Sequence, residues 1–339
     1  MNILLTGGAG YIGSHTAVVL SQAGHEVVLF DNFCNSQKSV LERLQKILGY
    51  KLQSVEGDIR NNPLLVKTLQ DKKIDAVIHF AGLKAIGESV EKPIEYFSNN
   101  VQGTISILDA MQRLQIKTFI FSSSATVYGE PLYLPYDESH ITNPINPYGH
   151  SKLQVEVLLR SLVNSDPSWK IACLRYFNPV GAHDSGLIGD DPKGVPANLV
   201  PYLARVASGA LTHVNIFGCD YETRDGTGER DYIHVMDLSE GHMASLDFLK
   251  QNTGMHIVNL GTGRSVSVLE CINAFERASG RSIQRKYCSR RQGDLPISFA
   301  NPLLAQKKFG WMAKRTLDEM CRDAWYFQET QQMESIKLR

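Results

Sequence analysis

Residues 2–13 read Asn2-Ile3-Leu4-Leu5-Thr6-Gly7-Gly8-Ala9-Gly10-Tyr11-Ile12-Gly13. A short apolar run enters a glycine cluster, and Ser14 through Leu20 then show helical spacing. The order is strand, glycine loop, helix. Gly8, Gly10 and Gly13 fit G-x-G-x-x-G, and Gly7, Gly10 and Gly13 fit the related G-x-x-G-x-x-G. Lacking a Cβ, such a backbone turns tightly and approaches a pyrophosphate, which rests on the free N–H groups opening the helix. Glu26-Val27-Val28-Leu29-Phe30 reads as the next strand and ends on Asp31. An acidic residue in that place meets the adenosine ribose and repels a 2′-phosphate, so the pattern predicts NAD rather than NADP.

The alternation continues. A strand near Leu52–Val55 ends in Glu56-Gly57-Asp58-Ile59, where Asp58 is placed to reach the adenine. Ala76-Val77-Ile78-His79-Phe80 is continuously apolar around its histidine, as a parallel sheet requires. His79 reads as a packed strand residue. Lys84, on the loop at that strand's end, is a candidate cofactor ligand. Pro93 to Leu114 reads as one long helical region carrying Asn99, Asn100 and Gly103. Thr118-Phe119-Ile120-Phe121 then delivers Ser122-Ser123-Ser124 at a strand's carboxyl end, where open parallel sheets bind their ligands.

Tyr148 and Lys152 stand four apart at the start of a helical run, in Tyr148-Gly149-His150-Ser151-Lys152. That spacing puts phenol and ammonium on one face. A free phenol titrates near pH ~10 and is a poor base; a neighbouring cation favours its phenolate. The pair suits proton removal from an alcohol while hydride leaves the same carbon. The motif by itself is common, and its weight comes from Ser124 and the glycine loop sharing the same sheet edge.

Bulk properties restrict the alternatives. A chain of 339 residues is long enough for one large or two associated domains. With 43% hydrophobic and 21% charged residues it has an ordinary globular composition. Its 35 basic and 35 acidic residues give no global field, so neither nucleic acid nor a membrane is an expected partner. No signal-peptide pattern and no spanning apolar run is read. The six cysteines are scattered without C-x-x-C, which predicts no metal, no disulfide framework and a cytoplasmic location.

Taken together these segments resemble the extended short-chain dehydrogenase/reductases, and most closely the UDP-glucose/UDP-galactose 4-epimerase family. The resemblance rests on Thr6-Gly7-Gly8-Ala9-Gly10-Tyr11-Ile12-Gly13-Ser14-His15, Asp31-Asn32, Glu56-Gly57-Asp58-Ile59-Arg60 and His79-Phe80-Ala81-Gly82-Leu83-Lys84. It continues through Ser122-Ser123-Ser124-Ala125-Thr126-Val127-Tyr128-Gly129, Tyr148 to Lys152, Arg175-Tyr176-Phe177-Asn178-Pro179-Val180-Gly181-Ala182 and Gly228-Glu229-Arg230-Asp231-Tyr232-Ile233-His234-Val235. It fades only in the last dozen or so residues. What it implies is a Rossmann fold with tightly held NAD, Tyr148 as acid/base, Ser124 bonding the reacting hydroxyl, and Lys152 on the nicotinamide ribose. Tyr11, Ile12, Asp31, Asn32, Asn35, Ser36, Asp58, Ile59, Phe80, Ala81, Gly82, Lys84, Asn99 and Phe177 would line the NAD site. Related dehydratases carry an Asp-Glu pair just after the serine or threonine; here Ala125-Thr126 stands there, which speaks against dehydration.

After Asn178 the strand–helix alternation breaks down, and glycines and prolines punctuate residues 179–201. Asn198-Leu199 opens a helical run to Ala207, and Asn215-Ile216-Phe217 reads as a strand able to pair along a uracil edge. Arg230 and Arg291 are candidate diphosphate ligands, because a guanidinium grips phosphate oxygens in a fork. The resemblance adds Lys84, Asn178, Asn198, Leu199, Tyr232 and Asp294 to a UDP-sugar site. It also singles out Ser298, where members restricted to glucose and galactose carry tyrosine and members with a small residue accept 2-acetamido sugars. A pocket opened in this way gains the larger ligand while tolerating the smaller one. The bland alternative is a strand serine whose space Phe299 refills.

The expected architecture is α/β: a Rossmann doubly wound parallel sheet over residues 1–178, and a smaller mixed α/β UDP-sugar-binding domain over 179–339. The boundary is approximate, with later segments free to return to the first domain. The polar tail from Gln328 to Arg339 reads as a surface helix end or a frayed one. The expected function is 4-epimerisation of UDP-hexoses and UDP-N-acetylhexosamines through a 4-keto intermediate, in a homodimer implied by resemblance. A strict UDP-glucose 4-epimerase, a sugar-nucleotide oxidoreductase consuming NAD, and a non-enzymatic NAD-binding sensor are the alternatives.

Overall fold

The first strand, β1 (Asn2–Thr6), buries Ile3, Leu4 and Leu5 completely, with Ile3 and Leu5 in one apolar cluster and Leu4 in another. Successive side chains of a strand point to opposite faces, so this segment is covered on both sides. The computed structural model describes residues 1–291 and 293–337, and of residues 334–337 the backbone alone. Along the chain, β1 is followed by α1 (Tyr11–Gln22), β2 (Glu26–Asp31), α2 (Ser39–Leu48), β3 (Gln53–Glu56), α3 (Asn62–Asp71) and β4 (Ala76–His79). Next come α4 (Ile86–Glu91), α5 (Pro93–Phe97), a π-helical segment (Ser98–Gln102), α6 (Gly103–Arg113), β5 (Thr118–Ser124), α7 (Pro147–Ser165) and β6 (Lys170–Tyr176). The rest holds β7 (Asn178–Val180), α8 (Leu199–Ala207), β8 (Val214–Phe217), β9 (Glu229–Arg230), β10 (Tyr232–His234), α9 (Val235–Leu249) and β11 (Gly254–Leu260). It closes with β12 (Val266–Ser267), α10 (Val268–Ser279), β13 (Arg285–Cys288), β14 (Ile297–Ser298), α11 (Leu303–Phe309) and α12 (Leu317–Lys337).

Seven strands form the main sheet in the order β11-β6-β5-β4-β1-β2-β3, each pair parallel. The order reverses between β1 and β4. Open parallel sheets bind their ligands at such a switch point, beyond the carboxyl ends of the strands. One face is covered by α1, α9 and α11 and the other by α3, α6 and α7, each through its own apolar cluster. This is the Rossmann-like α/β fold.

One feature differs from the sequence reading. The single helix expected over Pro93–Leu114 is interrupted by the π segment Ser98–Gln102. A wider turn there displaces the helix face, as such bulges do near functional sites, and it turns Asn100 inward to the loop after β4. The alternation that breaks down after Asn178 resumes later, through the return of a later segment that the sequence reading allowed for. Strand β11 pairs with β6 from Gly254↔Lys170 to Leu260↔Tyr176, and α9 packs on α1. Apolar Val258 and Leu260 are fully buried there.

A separate apolar cluster joins α8, α10 and α12 around β8. Short strands pair β10 with β7, β13 with β8, and β9 between β12 and β14. The tail expected to be a surface helix end continues α12 as far as Lys337; the final two residues lie outside the described residues. No helix among the described residues is long and apolar enough to cross a membrane. Nor do the described residues gather three or more His, Cys, Asp or Glu side chains into a metal-holding group.

Candidate active site

Strand β5 ends on Ser124, and α7 begins one loop later with Asn146 as its cap. The Asn146 side chain accepts a hydrogen bond from Gly149 N at 2.8 Å, and Pro147 occupies the first turn, where no N–H is needed. The helix therefore starts at a fixed point, with Tyr148 and Lys152 one turn apart on its buried side. Tyr148 is 8% exposed and Lys152 5%. Lys152 Nζ donates to the Ser122 carbonyl at 2.8 Å and lies 4.8 Å from the Phe121 ring centroid. Burial pulls the Lys152 ammonium down to about 8, with Glu156 pulling the other way.

The Tyr148 phenol departs from the sequence reading. Burial raises it above its ordinary value, and the hydrogen bond with Ser124 opposes that. Lys152 Nζ stands 5.9 Å from the Tyr148 ring centroid, turned to the Ser122 carbonyl. The lysine alone does not supply the lowering that its spacing suggested. Ser124 Oγ accepts from Thr126 N at 3.2 Å and from Thr126 Oγ1 at 3.0 Å. With these two acceptor sites used, the Ser124 proton is directed elsewhere, towards Tyr148 and the open side. Thr126, read only as the absence of a dehydratase acid, is thus a neighbour that aims Ser124.

Beneath the three serines lies a buried polar chain that the sequence did not reveal. Ser123 Oγ donates to Glu156 Oε1 at 2.6 Å, and Arg175 grips the same carboxylate at 2.9 and 2.5 Å. The Arg175 guanidinium lies over the Tyr128 ring, whose hydroxyl donates to Asn259 Oδ1 at 2.6 Å. Burial in the sheet makes this pair depend on its own hydrogen bonds. The available signal was Glu156, one helical turn past Lys152. His79 is packed as expected, bonded through its ring nitrogens to Thr6 Oγ1 and Thr104 Oγ1, and burial drives it down to about 3.

The glycine loop stands at the switch point. Gly7 has φ +68°, and a Cβ there would lie 2.6 Å from Ala81 N, so the loops after β1 and β4 touch backbone to backbone. A Cβ on Gly13 would meet Gly7 O at 2.4 Å. Gly10 starts α1 without a side-chain cap, leaving the first N–H groups at Tyr11, Ile12 and Gly13 without intrahelical acceptors. Those orphan donors fit a pyrophosphate. Asp31 closes the next loop: its carboxylate accepts from Ala9 N (3.0 Å), Phe33 N (2.8 Å) and Ser36 Oγ (2.9 Å). A carboxylate has about four lone-pair sites, so little is left for a second ribose hydroxyl unless Ser36 turns away. Asp58 is clamped by Arg60 at 2.9 and 2.7 Å and touched by Asn32 at 3.3 Å, which together hold it at about 2.

On the β4 side, Asn100 Oδ1 accepts from Leu83 N at 2.8 Å, and its Nδ2 donates to Leu83 O and Ser151 Oγ, each at 3.0 Å. The π segment thereby ties the Ala81-Gly82-Leu83-Lys84 loop to α7. Asn99 Nδ2 donates to Asn100 Oδ1 at 3.0 Å. Lys84 is exposed, Phe80 is half-buried against His242, and Ile59 and Phe177 are buried. Asn35 is exposed on the β2–α2 loop. The glycine loop, Asp31 and the loop after β4 lie at the carboxyl edge of the sheet and have the chemistry a dinucleotide needs: orphan N–H groups for phosphate, a buried acid for ribose, and backbone contacts that exclude side chains.

The second half brings together some of the expected substrate residues. Asn178 N donates to Asp231 O at 3.0 Å, which sets β7 beside Tyr232. Arg291 stacks over Phe217 at 4.6 Å and pairs with Asp294 at 2.9 Å, joining the β8 residues to that loop. Arg230 and Ser298 are register partners on β9 and β14. Ser298 is half-buried, and the next residue's carbonyl (Phe299 O) accepts from Tyr136 N at 3.0 Å. Asn198 and Leu199 open α8, Asn198 being exposed and Leu199 half-buried. Ile216 and Tyr232 carry their side chains into the apolar cluster, which leaves their backbone as the part able to meet a ligand. Asn215 is half-buried beside Cys288.

The chain is similar to known proteins over nearly its whole length. The model described as the NAD dependent epimerase/dehydratase family matches residues 3–261. The UDP-glucose 4-epimerase of Haemophilus influenzae is 50% identical over 330 residues, covering 97% of this chain and 98% of that protein. A crystal structure of UDP-glucose-4-epimerase from Stenotrophomonas maltophila, with bound NAD and formylated UDP-arabinopyranose, superposes with TM-score 0.97 at 48% identity, covering 98% and 99% of the two chains. The Bifidobacterium longum UDP-glucose 4-epimerase, in complex with NAD+ and UDP, gives TM-score 0.94 at 49% identity, covering 97% and 98%. The chain belongs to the NAD dependent epimerase/dehydratase family, among its UDP-glucose 4-epimerases, and is an NAD-dependent isomerase.

Proposed function

We propose that this chain interconverts UDP-glucose and UDP-galactose and also accepts UDP-GlcNAc and UDP-GalNAc. The observation that supports it most directly is the meeting of Ser124, Tyr148 and Lys152 at the sheet edge that carries the glycine loop. Bound NAD supplies the hydride acceptor and a positive nicotinamide ring. Tyr148 takes the proton of the sugar 4-hydroxyl, and Ser124, aimed by Thr126, holds that oxygen. Lys152 orients the ribose end from beside Ser122. The 4-keto sugar then turns within the pocket, and Tyr148 returns the proton when carbon 4 is reduced on its other face. Because the phenol is held high by burial, a cation in the loaded site is what brings it into range.

In this reading residues 179–339 supply most of the UDP-sugar site, with Arg230 and Arg291 on the diphosphate and Ser298 beside the hexose. The acetamido part of this reading rests on the small side chain of Ser298, which occupies less volume than a tyrosine would there. The protein works as a homodimer. Supporting this is an apolar groove of about 450 Å³ on α5, the π segment, α6 and α7, whose lining includes the exposed Ile94 and Ile105.

The test is purified protein without added NAD, given UDP-glucose and UDP-GlcNAc in parallel, with products followed by chromatography. Conversion of both is expected. Conversion of UDP-glucose alone would leave the epimerase and remove the role of Ser298. Conversion of neither by protein that contains NAD would sink the substrate assignment.

A further inference from the structure

Two loops distant in sequence meet at the ribose end of the cofactor site. The first, residues 32–38, follows β2 and carries Ser36. The second, residues 183–197, runs between β7 and α8. Lys193 Nζ donates to the carbonyls of Phe33 at 2.9 Å and Cys34 at 3.0 Å. Two residues earlier, Asp191 Oδ2 accepts from Gln37 Nε2 at 2.9 Å. The opposite oxygen of Asp191 faces Arg205 of α8 at 3.7 Å. The second loop is therefore fastened to the first at two points and to its own domain at a third.

The first loop needs this support. Phe33 has φ +56°, a left-handed conformation that disfavours any residue bearing a Cβ. From inside the site, Asp31 Oδ1 holds the turn through Phe33 N and Ser36 Oγ. From outside, Lys193 holds the same turn through its two carbonyls. The orientation of the ribose-facing carboxylate thus depends on a contact made by the other half of the chain.

We propose that Asp191 and Lys193 form a clasp that retains NAD: they are positioning residues that keep the 32–38 loop closed, and the cofactor leaves only when the two loops part. An isomerase that recovers its hydride in every cycle has no need to release the cofactor, and a clasp spanning both halves serves that chemistry. The proposal rests on the NAD site described above.

The experiment measures exchange of bound NAD in the holoenzyme against excess isotopically labelled NAD. Lys193→Met and Asp191→Ala are each expected to speed exchange about tenfold, the value of one hydrogen-bonded tie. Lys193→Arg keeps the donor and is expected to restore the slow rate. The NAD-free unfolding midpoint of the variants should match that of the unaltered protein. Unchanged exchange in both loss variants overturns the clasp. So does Lys193→Arg exchanging as fast as Lys193→Met, or a fall in the NAD-free midpoint that accounts for the loss. A holoenzyme that carries no NAD at all would sink the cofactor reading instead.

Discussion

Lys152 directs its ammonium at the backbone carbonyl of Ser122, 2.8 Å away, on the strand that two residues later presents Ser124. The contact ties α7 to the end of β5, so the residues proposed as acid/base and hydroxyl ligand, Tyr148 and Ser124, are held together by a bond between helix and sheet. It also explains how an isolated cation is kept in a site this dry. The carbonyl supplies an acceptor, the Phe121 face supplies a second favourable surface, and Glu156 lies one turn further along.

Replacing this lysine should separate activity from stability. Its folded-state value, lowered to about 8 by burial, lies below the unfolded value of about 10.4. Stability therefore rises with pH between those two values and carries its full penalty below the lower one. Lys152→Met is expected to remove that rise and to leave the protein as stable or more stable, by up to about 3 kcal/mol before the lost hydrogen bond is subtracted. Turnover should fall by about a hundredfold or more. Urea melts at pH 7 and pH 9.5 check the first claim, and epimerisation rates the second. A variant less stable than the unaltered protein at both pH values would contradict it.

Tyr148→Phe removes the proton acceptor while keeping the ring. It is expected to lower kcat by about 10²–10⁴-fold with NAD content unchanged. Absorbance of the purified variant gives the NAD content, and equal turnover by the variant would exclude Tyr148 as the base.

Thr126→Val takes one donor from Ser124 without changing side-chain shape. The freed Ser124 hydroxyl can rotate, and kcat is expected to fall about tenfold with KM little altered. A change confined to KM would mean that Thr126 serves substrate binding instead.

Glu156→Gln strands the Arg175 charge in the sheet. Breaking a buried pair in this way costs about 3–5 kcal/mol, and for a chain of this size the thermal midpoint should drop by several degrees. Calorimetry of the holoenzyme decides it. An unchanged midpoint would mean that Tyr128 and the backbone satisfy the guanidinium without the carboxylate.

Much of the site was legible because local rules impose it. A glycine at φ +68°, a helix beginning on Gly10, an acid at the end of β2 and a tyrosine one turn before a lysine follow from chain geometry over a few residues. What escaped depends on partners far away in sequence. The role of Asn100 required a π turn within an apparently regular helix, and it reaches Leu83 and Ser151 at once. Glu156 and Arg175 lie on α7 and β6, and nothing nearby in the sequence marks them as a pair.

The sequence by itself determined the parallel sheet, through apolar runs that must be covered on both faces, and the NAD end of the site, through glycines whose lack of a Cβ is a local property. Only the tertiary structure decided that β11 returns to the sheet beside β6, that Lys193 reaches the loop after β2, and that burial rather than Lys152 dominates the phenol of Tyr148. Pairing across such distances, and exclusion of water around a group, are properties of the packed chain as a whole, and no window of neighbouring residues contains them.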